Sequence, residues 1–214
     1  MIIQELWNEG IIPVIELDKI EDAFPLGNAL HSAGIGCAEV TFRTGAAEEA
    51  IRILSKKFPT MKVGAGTVLT IDQVKCAIQA GAKFIVSPGI DCEVVEYCME
   101  NGIPIIPGTV TPSEITKAVK MGVEVVKFFP AERFGGLATI KSLAAPFNEL
   151  KFIPTGGVNA ENLEQYLRND RILACGGSWL VAKNLINAQK FEIIENLAKE
   201  ALKIVGRVRA GGTV

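Results

Sequence analysis

A chain of 214 residues, 49% hydrophobic and 21% charged, has the length and balance of one globular domain, expected to span 1–214, with room for a sizeable core. Its formal net charge of −2 excludes the broad basic face that nucleic acid requires, so any phosphate it binds must be held by a local site. The first ten residues lack a basic start, and no stretch reaches the roughly 18 consecutive apolar residues of a membrane span, so a cytoplasmic protein with no membrane partner is expected.

A short helix is expected ahead of the first strand, with Trp7 and that helix closing one end of the fold. A recurring unit follows: an amphipathic segment, a glycine, then a short apolar run with turn residues behind it. Gly34, Gly81, Gly102 and Gly122 each stand where a left-handed residue would stop a helix. Strands are expected near 11–16, 36–42, 62–66, 83–87, 103–107, 123–128, 151–155 and 171–175. Helical spacing fills Ala46–Lys57, Ile71–Ala80, Glu93–Glu100 and Ser113–Met121, with Thr70, Asp91, Thr111 and Asn159 as capping residues. Eight alternating units imply parallel strands with right-handed crossovers, closed into a (β/α)₈ TIM barrel. The rival, an open doubly wound sheet, would want a G-x-G-x-x-G after the first strand, and none is there.

The cysteines, Cys37, Cys76, Cys92, Cys98 and Cys175, are odd in number and form no C-x-x-C, which fits reduced thiols. The sole histidine, His31, falls in an early helical pattern and reads as a helix-surface or interface residue, so no Cys–His nucleophile is expected. No His/Asp/Glu cluster suggests a metal, and no cofactor is expected.

Chemistry in such barrels sits at the C-terminal ends of the strands, and side chains alternate in and out with period two. On the second strand Glu39, Thr41 and Arg43 share one face and Ala38, Val40 and Phe42 the other. The apolar set suits the helix layer, which turns the polar set inward. On the sixth strand Lys127 shares a face with Val123 and Val125. A lysine there is either half of a structural ion pair with an inward carboxylate such as Glu39, or an amine nucleophile. Thr67 and Thr155 end strands at the same mouth, where each alone reads as a hydroxyl bonded to backbone, and Pro88 alone reads as shaping a turn. Gly156, Gly157, Gly176, Gly177 and Ser178 follow the seventh and eighth strands, where barrels cup a phosphate with backbone N–H groups.

These residues suit imine chemistry on a 2-keto acid. An ordinary lysine is only about 0.04% neutral at pH 7, so an amine nucleophile needs an environment that removes its proton. Lys127 would form the imine and Glu39 would move protons, standing off so as to work through a water or the substrate. Arg43 would grip the keto acid's carboxylate with two hydrogen bonds, and the glycines with Ser178 would hold a terminal phosphate.

The chain resembles the bacterial 2-keto-3-deoxy-6-phosphogluconate (KDPG) aldolases, a family that overlaps the 4-hydroxy-2-oxoglutarate (KHG) aldolases. The likeness rests on Glu39-Val-Thr-Phe-Arg-Thr44, Gly64-Ala-Gly-Thr-Val68, Ser87-Pro-Gly89, Pro107-Gly-Thr-Val-Thr-Pro112, Lys127-Phe-Phe-Pro-Ala131, Pro154-Thr-Gly-Gly-Val158 and Gly176-Gly-Ser-Trp179. It implies a class I aldolase of the Entner–Doudoroff pathway, trimeric, with Lys127 as Schiff-base residue, Glu39 as acid–base residue and Arg43 as carboxylate contact. It also implies that Thr67, Pro88, Phe129 and Thr155 line the pocket and that Ser178 with its glycines forms the phosphate site. The resemblance leaves the gluconate and galactonate epimers open. The rival readings are an isomerase or epimerase using Glu39 as its base, and a non-catalytic barrel that senses a sugar phosphate.

Overall fold

The computed structural model describes residues 2–211; Met1 and residues 212–214, the outermost ends of the expected domain, lie outside the described residues. Its strands are β1 (Ile11–Ile15), β2 (Cys37–Thr41), β3 (Lys62–Gly66), β4 (Ile85–Val86), β5 (Ile105–Ile106), β6 (Val125–Phe128), β7 (Lys151–Pro154) and β8 (Cys175–Gly177). Its α-helices are α1 (Ile2–Glu9), α2 (Ala23–Ala33), α3 (Ala47–Lys57), α4 (Ile71–Ala80), α5 (Cys92–Glu100) and α6 (Pro112–Lys120). The chain ends with α7 (Gly136–Ala144), α8 (Leu163–Leu167), α9 (Lys183–Asn187) and α10 (Phe191–Ala210). No helix among the described residues is long and apolar enough to cross a membrane.

The punctuation read from the sequence recurs in the backbone. Gly34, Gly81, Gly102 and Gly122 all have positive φ, and the backbone N–H groups of Gly34 and Gly81 close the last turns of α2 and α4. Thr70 and Asp91 accept from the backbone N–H groups of Gln73 and Val94, and Thr111 forms a reciprocal capping box with Glu114. Asn159 differs. Its side chain accepts from Glu161 N and Asn162 N, so it caps a preceding turn, and α8 begins only after Asn162.

Every strand pairing is parallel. One curled ladder runs β5-β4-β3-β2-β1-β8 and a second joins β6 to β7. Isolated bridges link the two: Gly108 to Lys127 on one side, Phe152 to Ile172 and Thr155 to Gly176 on the other. The eighth strand begins later than expected. A turn in which Ile172 N donates to Asn169 O takes up its first residues, and regular pairing starts where Cys175 N donates to Gly10 O.

Two apolar clusters separate along these strands. Ala38, Val40, Val126 and Phe128 point outward into the helix layer, while Ile12, Cys37, Phe84, Val86, Ile106, Val125, Ile153 and Leu173 point inward. Strand parity therefore holds for β2 and β6, except that Val123, expected inward, packs with the helices because it still belongs to the turn after α6. The inner cluster is closed at the end from which the strands start by Leu6 of α1, which is fully buried. Trp7, expected to share that task, lies at the same end beside Val125 and Leu173 but is 39% exposed, with the Arg209 guanidinium over its ring.

Removing the plug should open a cavity at the end of the inner cluster. Leu6→Ala is expected to lower unfolding free energy by about 3 kcal/mol, and Trp7→Ala by clearly less, as read by urea denaturation of both variants.

Candidate active site

Lys127 and Glu39 meet on the inward face near the ends of their strands. Lys127 Nζ lies 3.1 Å from Glu39 Oε1, with the two residues 4% and 3% exposed. The nucleophile reading of the sequence separates the two groups by a water or by substrate; the structure places them in direct contact, as the ion-pair alternative has them. Burial gives the reason. Neither charge reaches solvent, so each is compensated by the other.

The backbone holds the pair rigidly. Lys127 N donates to Pro107 O, Thr109 N donates to Lys127 O, and β6 pairs with β7 on its other side. Glu39 is fixed between Val14 of β1 and Gly64 of β3. Gly66 matters as much as either partner, because a Cβ there would collide with Glu39 Oε1. The sequence reading took Gly66 only as part of a motif; its role is to give the carboxylate room.

Two further candidates follow directly after β6 and β7. The Phe129 ring centroid is 5.4 Å from Lys127 Nζ. Thr155, two residues beyond Ile153 on the inward face of β7, is 5% exposed, and its Oγ1 has no hydrogen-bond partner among the described residues. A buried hydroxyl without a partner costs free energy unless something bound there completes it. The expected bond from Thr155 to backbone is absent. Thr109 Oγ1, beside Lys127 in the same rim, is also buried without a partner.

Outside the pair lies a cleft of about 440 Å³ lined by Thr41, Arg43, Gly157 and Ser178, with Glu16 and Lys183. Thr41 Oγ1 is committed, donating to Ile15 O at 2.9 Å. Arg43 is exposed, and its guanidinium reaches Glu16 Oε2 at 3.4 Å and Thr67 Oγ1 at 3.3 Å. Thr67 holds its hydroxyl there with φ at +55°, a conformation that strains a β-branched residue and recurs at ligand sites. Thr67 thus serves a side chain, where the sequence alone suggested backbone. Glu16 also accepts from Lys183 Nζ at 2.7 Å; this bond, with a weaker one from Arg43, holds its carboxyl below the usual carboxylate range. Pro88 is half-buried, and its carbonyl lies against Gly108.

The glycine pairs behave differently from each other. Gly156 and Gly157 are both left-handed, with φ of +94° and +87°, so the chain turns tightly after β7, and Gly156 O accepts from Glu132 N. Gly176 and Gly177, expected in a loop, are the last residues of β8 and are buried, paired with Ile12 and Pro13. Gly176 lies flush against Thr155 Oγ1, which leaves no space for a side chain. Ser178 follows, exposed, at the start of a 3-10 turn formed by Trp179–Val181.

Cys37, Cys98 and Cys175 are buried, and burial pushes all three thiol pKa values up, Cys98 to about 11. His31 is exposed on α2 beside Phe58.

The family model for KDPG and KHG aldolases matches residues 2–197. A 2-dehydro-3-deoxy-phosphogluconate aldolase of Treponema pallidum is 46% identical over 205 residues, covering 96% of this chain and 98% of that protein. The KHG/KDPG aldolase of Escherichia coli is 40% identical over 193 residues, 90% of this chain and 91% of its own length. Among solved structures, the Legionella pneumophila KDPG aldolase with pyruvate captured at low pH as a covalent carbinolamine intermediate matches with a TM-score of 0.89. It is 38% identical and covers 93% of this chain and 97% of its own.

A buried pair leaves a cost when it is halved. Glu39→Gln alone should destabilise the fold by about 3 kcal/mol, and adding Lys127→Met should recover at least about 1 kcal/mol of that loss. A urea double-mutant cycle measures the coupling; additive effects would mean that the two side chains do not interact in solution.

Proposed function

The chain belongs to the KDPG and KHG aldolase family, and from that premise we propose that it cleaves KDPG to pyruvate and glyceraldehyde 3-phosphate through an imine on Lys127. The observation that carries this reading is an amine buried beside a carboxylate at 3.1 Å, in a chain similar to an aldolase that captures pyruvate covalently. It places the protein in the Entner–Doudoroff pathway, as a carbon–carbon lyase.

On this reading each step has a group. Glu39 takes a proton from the Lys127 ammonium across their hydrogen bond, and the free amine attacks the C2 ketone to give a carbinolamine. Protonation of its hydroxyl by Glu39 expels water and leaves a cationic imine. Glu39, again a carboxylate, accepts the C4 hydroxyl proton. The C3–C4 bond then breaks, its electrons pass to the imine nitrogen, and the aldehyde leaves. Glu39 returns that proton to the resulting enamine at C3, and water hydrolyses the imine to pyruvate and free Lys127. Phe129 and Thr155 wall the reacting carbons, and the unpartnered Thr155 hydroxyl offers substrate a hydrogen bond.

Binding falls at the two ends of the substrate. Arg43, held by Thr67 and Glu16, grips the keto acid's carboxylate with a planar fork. Gly156, Gly157, Gly176, Gly177 and Ser178 hold the phosphate, chiefly through the left-handed turn after β7 and the Ser178 turn after β8. Pro88 lines the wall beside Gly108. With both ends fixed, C3 and C4 are held over Lys127.

The same reading has the bridged ladders as a complete eight-stranded barrel and residues 1–214 as a single domain, in a cytoplasmic homotrimer. KHG is proposed as a second, unphosphorylated substrate, in keeping with the dual name of the Escherichia coli relative. The galactonate epimer is the competing substrate, differing only at C4, where Glu39 works.

The protein should release pyruvate from KDPG in a lactate dehydrogenase-coupled assay, with the galactonate epimer compared side by side. Lys127→Met is expected to abolish turnover in a folded protein, and Glu39→Gln to lower kcat by about a hundred- to ten-thousandfold. In the condensing direction Ser178→Ala should raise KM for glyceraldehyde 3-phosphate more than for pyruvate. Turnover that survives Lys127→Met would overturn the imine mechanism.

A further inference from the structure

We propose that Lys183 is the cation of the phosphate end of the cleft, and that it sets the preference for phosphorylated over unphosphorylated aldehydes; this rests on the aldolase reading above. A phosphate monoester carries about −1.5 to −2 charges at pH 7. The residues that cup it, Gly156, Gly157, Gly176, Gly177 and Ser178, bring no charge, and a chain of net charge −2 supplies no general attraction. The cation must come from the cleft itself. Arg43 and Lys183 are the basic side chains that line it among the described residues. Arg43 stands at the carboxylate end, against Thr67, which leaves Lys183 for the phosphate.

Its position suits the task. Lys183 is the first residue of α9, five residues beyond Ser178, and lines the same cleft as Ser178 and Gly157. Its Nζ is held 2.7 Å from Glu16 Oε1 and 2.9 Å from Asp18 Oδ1. An ammonium has three N–H donors, so two carboxylates leave one for a phosphate oxygen. Asp18 and Glu16 together hold the lysine above its ordinary range, which keeps it charged. The side chain is 43% exposed, so these ion pairs are weak, and Lys183 shifts between carboxylate and phosphate at little cost.

Glu16 then has a positioning role. One carboxylate at the end of β1 bridges Arg43 and Lys183, the cations of the two substrate ends. It fixes their separation and relieves their mutual repulsion before substrate arrives.

The test compares pyruvate condensation with D-glyceraldehyde 3-phosphate and with D-glyceraldehyde, which differ only in the phosphate. The ratio of the two kcat/KM values should fall about tenfold in Lys183→Met and in Lys183→Gln, the loss of one charge-assisted hydrogen bond, and Lys183→Arg should restore most of it. Added salt should lower the ratio in the wild type more than in Lys183→Met. An unchanged ratio, or an equal fall for both aldehydes, would overturn the assignment of Lys183 while leaving the aldolase reading intact. A wild-type protein that condenses neither aldehyde would overturn the aldolase reading, and this inference with it.

Discussion

Lys127 and Glu39 put two opposite charges 3.1 Å apart where solvent barely reaches either. Burial of this kind is unfavourable unless the pair is held close and each charge is answered, and much of the surrounding sequence serves that requirement. Gly66 leaves room for the carboxylate, Pro107 and Thr109 pin the lysine's backbone, and the inward Val125 and Ile153 keep water away. The same compression favours catalysis. On the proposed mechanism, a proton moves between the two groups along that one hydrogen bond.

Polar chemistry is thereby divided by depth. On the proposed reading the covalent work falls to the dry interior and charge recognition to an exposed rim, where Arg43, Glu16 and Lys183 interact at 2.7–3.4 Å. Rim contacts are individually weak and exchangeable, which suits groups that must release a product. The Thr155 hydroxyl, buried with no partner among the described residues, is the polar group whose situation a bound ligand would improve.

The strands and the inner face were legible in the sequence because period-two alternation in β2 and β6 leaves Glu39 and Lys127 no apolar alternative. Helix stops were legible for a similar reason, since Gly34, Gly81, Gly102 and Gly122 need the left-handed region. What failed was local. Gly176 and Gly177 looked like loop glycines, yet they end β8, where Thr155 leaves no space for a side chain at the first and Trp179 and Ile11 leave none at the second. Val123 faces the helices, since parity says nothing about a residue still in a turn. Most contacts between segments distant in sequence were not legible. Nothing in the order of residues places Glu16 between Arg43 and Lys183, 27 and 167 positions away. The direct Lys127–Glu39 contact, 88 residues apart, was readable only as one of two alternatives.

The most direct measurement is reductive trapping: incubate the protein with pyruvate, reduce with borohydride, digest, and locate the added mass by peptide sequencing. A single adduct on the Lys127 peptide is the expected result, lost in Lys127→Met. Folded protein that gives no adduct, or an adduct on another lysine, would contradict Lys127 as the nucleophile and reduce the buried pair to a structural ion pair.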